Sequence, residues 1–166
     1  YNRAIVEPAM GYCNEDQYRE FMEKVNKWEY KLKKDQDIIL IKIYLDIDKH
    51  KQKERIVERQ ESALKYWKFS MNDLAALGKW EAFTNYQEQM FNNTSTYLHP
   101  WVIINSNNKM IARLTAIRYV LSVIDYEDKI PLKEKRWSEK LKEIEINGVT
   151  FKNLTGLQYQ TLKKLL

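Results

Sequence analysis

Two short apolar runs, set between segments with helical spacing, constrain the fold of this chain more than any other feature. Residues 38–45 (IILIKIYL) and 101–104 (WVII) are strand-length runs rich in β-branched and aromatic side chains. Residues 14–34, 49–67 and 70–92 place apolar side chains every three or four positions, which predicts helices. This alternation predicts an α/β fold with a parallel sheet, in which residues 38–45 form an interior strand covered on both faces.

Polar residues mark where the predicted helices begin. The predicted caps are Asn14 with Gln17, Ser70 with Asp73, and Asn107 or Asn108 before a last helix. The connection between the two strands is far longer than usual, and a helical insertion there commonly serves as a lid over a site. Residues 127–166 contribute only a possible turn at Asn147 and Gly148 and a last amphipathic stretch.

The composition excludes several classes of protein. One cysteine, Cys13, cannot form an internal disulfide, and two scattered histidines make no cluster of the kind that zinc requires, so we expect a cytoplasmic protein. Apolar runs such as residues 38–41 are too short to cross a membrane, and Tyr1 opens no signal peptide. The five tryptophans and eleven tyrosines are expected mainly in the core, and Trp67 and Trp80 are assigned to packing.

Positive charge is concentrated in one short segment. Residues 49–68 hold seven basic and three acidic side chains, and so +4 of the net charge of +5. Lys51, Arg55 and Arg59 are four residues apart, which places them in a stripe along one face of a helix. Such a stripe suits a polyanionic ligand, and it is also typical of a solvated helix face.

Several ordered blocks of residues carry a family resemblance. They are YNRA at residues 1–4, Val6, Glu7, GYC at 11–13, YLD at 44–46, LKYWKFSMND at 64–73, Trp80, Met90, Phe91, Thr94, Pro100, Trp101, Lys109, ARL at 112–114, Ile117, Arg118 and residues 121–126. Together these blocks cover most of residues 1–128 in the order and spacing of the family. The chain resembles the second family of polyphosphate kinases.

The resemblance implies a P-loop kinase-like three-layer α/β fold with a parallel sheet, present here as a partial domain with a helical lid. Residues 1–128 would be the C-terminal part of the kinase domain, with lid helices at about 49–92, and residues 129–166 a C-terminal extension. The implied activity is phosphoryl transfer between inorganic polyphosphate and a nucleotide, with a nucleoside diphosphate such as ADP or GDP preferred and a monophosphate left open. Mg²⁺ is also implied, with its ligands expected upstream of residue 1.

The same resemblance places Asn2 and Arg3 at the phosphates. Phosphoryl transfer develops charge on equatorial oxygens, so catalysis needs fixed cations and amide donors more than a nucleophile. The planar fork of Arg3 and the amide of Asn2 suit that task. The alternative for Arg3 is an ion pair with Glu7, four residues later on a helix surface.

In the lid, the resemblance assigns a catalytic role to Arg55 and Arg59 and phosphate binding to Lys65 and Lys68. These cations would close over the transferring phosphates and the polyphosphate chain and exclude water. Solubility is the alternative function for each of them. Asp73 is expected to cap its helix, with orientation of Lys68 as a second role left open.

One departure from the family concerns the phosphate-binding loop. The sequence contains no Gly-x-x-x-x-Gly-Lys motif, so we expect that motif in a longer parent protein and expect this chain alone to be inactive. The competing hypothesis is a non-catalytic module whose basic helix, residues 49–68, binds polyphosphate or nucleic acid. Under the kinase hypothesis nucleic acid and membranes are not expected partners, and the charged tail and basic lid are compatible with a homo-oligomer.

Overall fold

The computed structural model describes residues 1–130 and 142–166, which form two compact units. Tyr1–Trp28 and Ile47–Thr94 make up the first, here called the helical unit. Glu29–Asp46 and Ser95–Leu166 make up the second, the sheet unit. The predicted domain boundary at residue 128 refers to the parent kinase domain and stays a prediction.

The described residues form seven α-helices, two 3₁₀ turns and four strands. The helices are α1 (Val6–Met10), α2 (Glu15–Gln36), α3 (Lys49–Glu61), α4 (Met71–Gly78), α5 (Trp80–Thr94), α6 (Lys109–Val123) and α7 (Gly156–Lys163). The 3₁₀ turns are Asn2–Ala4 and Tyr66–Lys68, and the strands are β1 (Lys42–Asp46), β2 (Trp101–Asn105), β3 (Lys142–Ile146) and β4 (Val149–Leu154). Within the described ranges, no helix is both long and apolar enough to cross a bilayer.

The predicted α/β architecture with parallel pairing is confirmed. The strands follow one another in the order β1-β2-β4-β3, with β1 parallel to β2 and β2 parallel to β4. Lys42 pairs with Trp101 at one end of β1, and Asp46 pairs with Asn105 at the other. The apolar core of the unit lies beside β2, where Val102, Ile104 and Ala112 are buried against Ile43, Ala116 and Tyr119.

The strand predicted at residues 38–45 is shorter in the structure, and its interior position in the sheet of the longer protein stays a prediction. Strand β1 begins only at Lys42, and among the described strands it pairs with β2 alone. Ile38 and Ile39 precede the strand and are exposed, and Leu45 is 55% exposed. An apolar run therefore did not show at which residue the strand begins.

The last part of the chain adds two strands that the sequence analysis did not predict. β3 and β4 form an antiparallel hairpin, and β4 joins the sheet beside β2 through the register Val102 to Thr150. The predicted turn at Asn147 and Gly148 is confirmed, and both residues have positive φ, at 51° and 74°. Two consecutive left-handed residues match the right-handed twist of the flanking strands, which is why Asn-Gly favours this turn.

Predicted helix starts were more accurate than predicted helix ends. Asn14 and Gln17 exchange hydrogen bonds between side chain and backbone, Ser70 and Asp73 form a capping box, and Asn108 caps α6. The helix predicted over residues 49–67 ends at Glu61, and the one predicted over residues 70–92 is split at Lys79 into α4 and α5. The split follows Gly78, whose low helix propensity costs about 1 kcal/mol relative to alanine.

A buried ion pair explains the one lysine in the first apolar run. Lys42 Nζ lies 2.9 Å from Glu29 Oε2, and both side chains are almost fully buried. The same ammonium lies 5.3 Å from the centre of the Trp101 ring. Burial lowers the pKa of Lys42, and the hydrogen bond and charge of Glu29 oppose that shift.

Breaking this pair should destabilise the sheet unit. Glu29→Ala leaves the Lys42 ammonium buried without its carboxylate, and the free energy of unfolding should fall by about 3–5 kcal/mol. Combining Glu29→Leu with Lys42→Met should recover most of that loss, because neither charge is then buried. Urea unfolding measures these changes, and Glu20→Ala, which breaks the exposed pair with Lys24, is the control that should change little. A double variant as unstable as Glu29→Ala would contradict the expectation.

His99 is a second buried ionisable group in the sheet unit. It is 5% exposed, and its Nε2 has no hydrogen-bond partner among the described residues. Desolvation lowers the pKa of His99 below its ordinary value of 6.5; Glu29 opposes this shift, and Lys42 and Lys33 reinforce it. The folded chain therefore favours the neutral imidazole.

Stability should consequently fall as the pH drops below 6.5. Just below pH 6.5 the histidine of the unfolded chain binds a proton, whereas folded His99 with its lowered pKa stays neutral, so protonation favours the unfolded state. Above pH 6.5 the ring is neutral in both states, and His99 causes no loss of stability. Urea unfolding from about pH 7.5 to about pH 5 should show this loss, and His99→Gln should reduce it. His50→Gln removes an exposed histidine and is the matched control. An unchanged pH profile in His99→Gln would show that other groups set the pH dependence.

Candidate functional site

The opening residues lie in a 3₁₀ turn that packs on α5. Buried Ala4 and Ile5 anchor this turn, while Asn2 is exposed. Arg3 Nε is at ion-pair distance from Glu7 Oε2, without an aligned hydrogen bond to any described residue. The pairing that the sequence analysis offered as the alternative for Arg3 is therefore present, and its contact with phosphate stays a prediction.

The lid arginines lie on α3, and one of them is tied to the start of α4. Arg59 Nη1 lies 3.3 Å from each carboxylate oxygen of Asp73. Asp73 also accepts a hydrogen bond of 3.1 Å from the backbone N–H of Ser70. One carboxylate thus caps α4 and holds Arg59, whereas the sequence analysis had considered Lys68 as its second partner. Arg55 lies one turn before Arg59 and is partly buried.

The lid lysines lie in the connection between α3 and α4 and are both exposed. Lys65 forms an ion pair with Glu58 on the last turns of α3. Lys68 Nζ lies 4.8 Å from the centre of the Trp67 ring. Trp67 itself is 69% exposed, so the prediction that it packs in the core was wrong. Because α3 ends at Glu61, Trp67 does not continue the apolar face of that helix; Trp80 is half-buried on α5.

Two polar contacts join α4 and the residue after it, Lys79, to the segment that follows the opening turn. The Tyr12 hydroxyl donates to Asn72 Oδ1 at 3.1 Å, and Lys79 Nζ donates to the Met10 carbonyl at 3.2 Å. Gly11 lies between Met10 and Tyr12 with φ of 81°, a left-handed conformation that glycine adopts at little cost. These contacts link distant parts of the sequence, so no local pattern could have predicted them.

A comparison with protein families identifies the chain. The family model described as "Polyphosphate kinase 2 (PPK2)" matches residues 1–131. The chain belongs to the polyphosphate kinase 2 family. The predicted resemblance is thereby confirmed, and the match includes the six candidate site residues.

Individual members of the polyphosphate kinase 2 family agree with this assignment. The chain is 38% identical to ADP-polyphosphate phosphotransferase 1 of Rhizobium meliloti and 41% identical to the GDP-polyphosphate phosphotransferase of Mycolicibacterium smegmatis. Each alignment covers 78% of this chain, but only 43% and 45% of the two relatives. The chain therefore spans less than half the length of these curated relatives.

Solved polyphosphate kinase 2 structures share the fold. The crystal structure from Arthrobacter aurescens TC1 aligns with 70% of this chain and 41% of its own, at a TM-score of 0.64 and 28% identity. The putative polyphosphate kinase 2 from Pseudomonas aeruginosa aligns with 72% of this chain and 26% of its own, at a TM-score of 0.67 and 31% identity. The α/β fold class with a mostly parallel sheet is thus that of the family.

The described part of the chain does not supply a metal centre. Among residues 1–130 and 142–166, no group of three or more His, Cys, Asp or Glu side chains is placed to hold an ion. Asp73, the carboxylate in contact with Arg59, also accepts a hydrogen bond from the Ser70 backbone, and Glu58 is paired with Lys65. We therefore assign no residue of this chain to Mg²⁺ and derive no step through it.

The contact between Arg59 and Asp73 should show a measurable but small coupling. Both side chains are partly exposed, so a double-mutant cycle with Arg59→Gln and Asp73→Asn should give about 0.5 kcal/mol in the free energy of unfolding. Asparagine keeps an oxygen that can cap α4, which isolates the ion pair from the cap. The more exposed pair Arg19 and Asp16 on α2 is the control, with coupling near zero expected. Coupling near zero in the Arg59 and Asp73 cycle would show that Asp73 does not hold Arg59.

Proposed function

We propose that the protein containing this chain transfers a phosphoryl group between inorganic polyphosphate and a nucleotide. The observation that carries the proposal is the family match over residues 1–131, with relatives named for ADP and GDP as well as for polyphosphate. These names support a nucleoside diphosphate such as ADP or GDP as the acceptor. A nucleoside triphosphate is then the product, or the donor when the transfer runs in reverse.

Arg59 is the lid residue best prepared for the reaction. Its side chain is 38% exposed and its guanidinium is held by Asp73 through Nη1, so the remaining N–H groups are able to reach a phosphate. A planar fork with several donors matches the equatorial oxygens on which charge develops during transfer. We assign Arg55, one turn away on α3, to the same group of charges.

Lys65 and Lys68 are proposed to bind the phosphates of the substrates. Their present partners, Glu58 for Lys65 and the Trp67 ring for Lys68, are solvent-exposed, and such contacts contribute little free energy. A polyphosphate chain presents one negative charge after another and can replace these partners. The lysines then neutralise the chain while the lid excludes water from the transferring group.

Asn2 and Arg3 are proposed to hold the phosphates from the opening turn. The exposed Asn2 amide is available as a donor, and the remaining guanidinium N–H groups of Arg3 can bind an oxygen while Nε stays beside Glu7. Mg²⁺ is the metal we propose for the whole site, where it would neutralise phosphate oxygens. A cytoplasmic location and assembly into a homo-oligomer remain predictions.

The non-catalytic polyanion module is the less favoured hypothesis. Three cations of the basic segment, Lys51, Lys65 and Arg59, already have acidic partners, which reduces the positive field that a general polyanion would meet. Nor does charge alone account for the family match across residues outside the segment. A nucleic-acid function is therefore not proposed.

Phosphoryl transfer tests the proposal directly. The full-length protein that carries this chain, given long-chain polyphosphate, Mg²⁺ and ADP or GDP, should form the nucleoside triphosphate. Arg59→Gln should lower kcat/KM by roughly 100-fold or more, since a cation at the transferring group is lost. Arg19→Gln removes an exposed arginine that also pairs with acidic residues, and it should leave kcat/KM unchanged. No transfer to ADP, GDP or AMP by the wild-type protein would refute the proposal.

A further inference from the structure

An exposed apolar segment lies in the middle of the lid. Leu64, Tyr66 and Met71 are each at least 65% exposed, and Trp67 lies among them with 69% of its surface exposed. Four large apolar side chains within eight residues are unusual on a protein surface and mark a place where another molecule binds. The proposed roles of the lid cations leave this feature without a function.

The Trp67 ring is held in place rather than free to rotate. Its Nε1–H donates to the Leu64 carbonyl at 3.0 Å. The 3₁₀ turn Tyr66–Lys68 is itself closed by the backbone hydrogen bond from Lys68 to Lys65 at 2.9 Å. A fixed ring loses little conformational entropy when a ligand stacks on it, which is what a preorganised platform requires.

The charges around the ring indicate which ligand it takes. Lys68 lies against the Trp67 ring, Lys65 is two residues before it, and Arg59 is on the helix that packs against this turn. Lysine is depleted from the cores of protein–protein interfaces, so the lysines beside the Trp67 ring do not favour a protein partner. A flat apolar ring set among cations instead combines the two features that bind a nucleotide, base stacking and phosphate neutralisation.

We propose that Trp67 is the stacking platform for the base of the nucleotide substrate. The proposal rests on the proposed function and adds to it the residue that distinguishes a nucleotide from polyphosphate, which has no apolar ring. An exposed cation–π contact is weak, so an incoming base displaces Lys68 from the ring and the ammonium moves to the phosphates. Because every base has a π-face, the platform accepts adenine and guanine alike.

Binding measurements with and without a base test this inference. Titration calorimetry on the full-length protein compares ADP, GDP and pyrophosphate, which carries two phosphates and no base. Trp67→Ala and Trp67→Leu should raise the dissociation constants of ADP and GDP by roughly 5- to 100-fold. Trp67→Phe keeps a ring and should stay close to wild type, and pyrophosphate affinity should not change in any of these variants. Trp28→Ala, which removes another exposed tryptophan, is the matched control and should bind ADP as wild type does.

The outcomes separate this inference from the proposed function. The inference would be overturned if the variants lost affinity for ADP and pyrophosphate equally, or if Trp67→Ala bound ADP as wild type does. It would also be overturned if Trp67→Phe bound ADP as weakly as Trp67→Leu, or if the wild-type protein bound ADP no better than pyrophosphate. If Trp67→Ala does not fold, the comparison of Trp67→Leu with Trp67→Phe decides the question. If binding depends on the base and on Trp67 but no phosphoryl transfer occurs, the proposed function is refuted and the stacking role of Trp67 is supported. If phosphoryl transfer occurs and the KM for ADP is the same in the Trp67 variants as in wild type, the proposed function is supported and the stacking role of Trp67 is refuted.

Discussion

The parallel pairing of β1 with β2 is the constraint on which the rest of the chain depends. Parallel neighbours cannot be joined by a tight turn, so the chain must leave the sheet after Asp46 and return at Trp101. A single crossover helix would be sufficient for that purpose. Here the connection carries α3, α4 and α5 instead, and every candidate residue of the lid lies within it. A topological requirement of the sheet has thus provided the segment in which the proposed lid residues lie.

Electrostatic compensation prepares this segment before any substrate binds. The cations of the basic segment repel one another. Three acidic residues each form an ion pair with one of these cations: Glu54, Glu58 and Asp73. These pairs are exposed or partly exposed and therefore weak, which fits the proposal that the cations exchange carboxylates for phosphates. The buried pair of Lys42 with Glu29 has the opposite property. Desolvated charges with a close partner fix a structure, and they are not exchanged.

The sequence was informative where local physics decides the structure. Caps at Asn14 and Ser70 and the Asn147–Gly148 turn follow from the conformational preferences of nearby residues. The parallel pairing of β1 with β2 was predicted from the alternation of strands and helices along the chain. The pairing of β4 with β2 depends on contacts about fifty residues apart, and no periodicity in the last part of the chain indicates it. The late start of β1 at Lys42 was missed as well, because the apolar run that begins at Ile38 gives no sign of where pairing begins.

The candidate site divides in the same way. Ordered motif blocks identified the family and suggested six candidate site residues, whose roles remain proposals, whereas the partner of Arg59 and the exposure of Trp67 required coordinates. Trp67 was assigned to the core because its spacing continues the apolar face of α3. That face ends with the helix at Glu61, so the periodicity beyond it has no structural meaning. The predicted helix extended to Trp67, six residues beyond the observed end at Glu61, and this error placed an exposed ring in the predicted core.

Exposure of Trp67 also bears on how one lid can serve two substrates. Polyphosphate is a uniform chain of charge, and a row of cations is sufficient to bind it. A nucleotide carries phosphates as well, together with a base. A surface that binds both polyphosphate and nucleotides therefore needs cations for the phosphates and an apolar ring for the base. Lys68 and Trp67 are adjacent in the chain and in contact through the ring face. Occupation of the ring by a base and release of the ammonium to the phosphates are then one event, which couples recognition of the nucleotide to neutralisation of its charge.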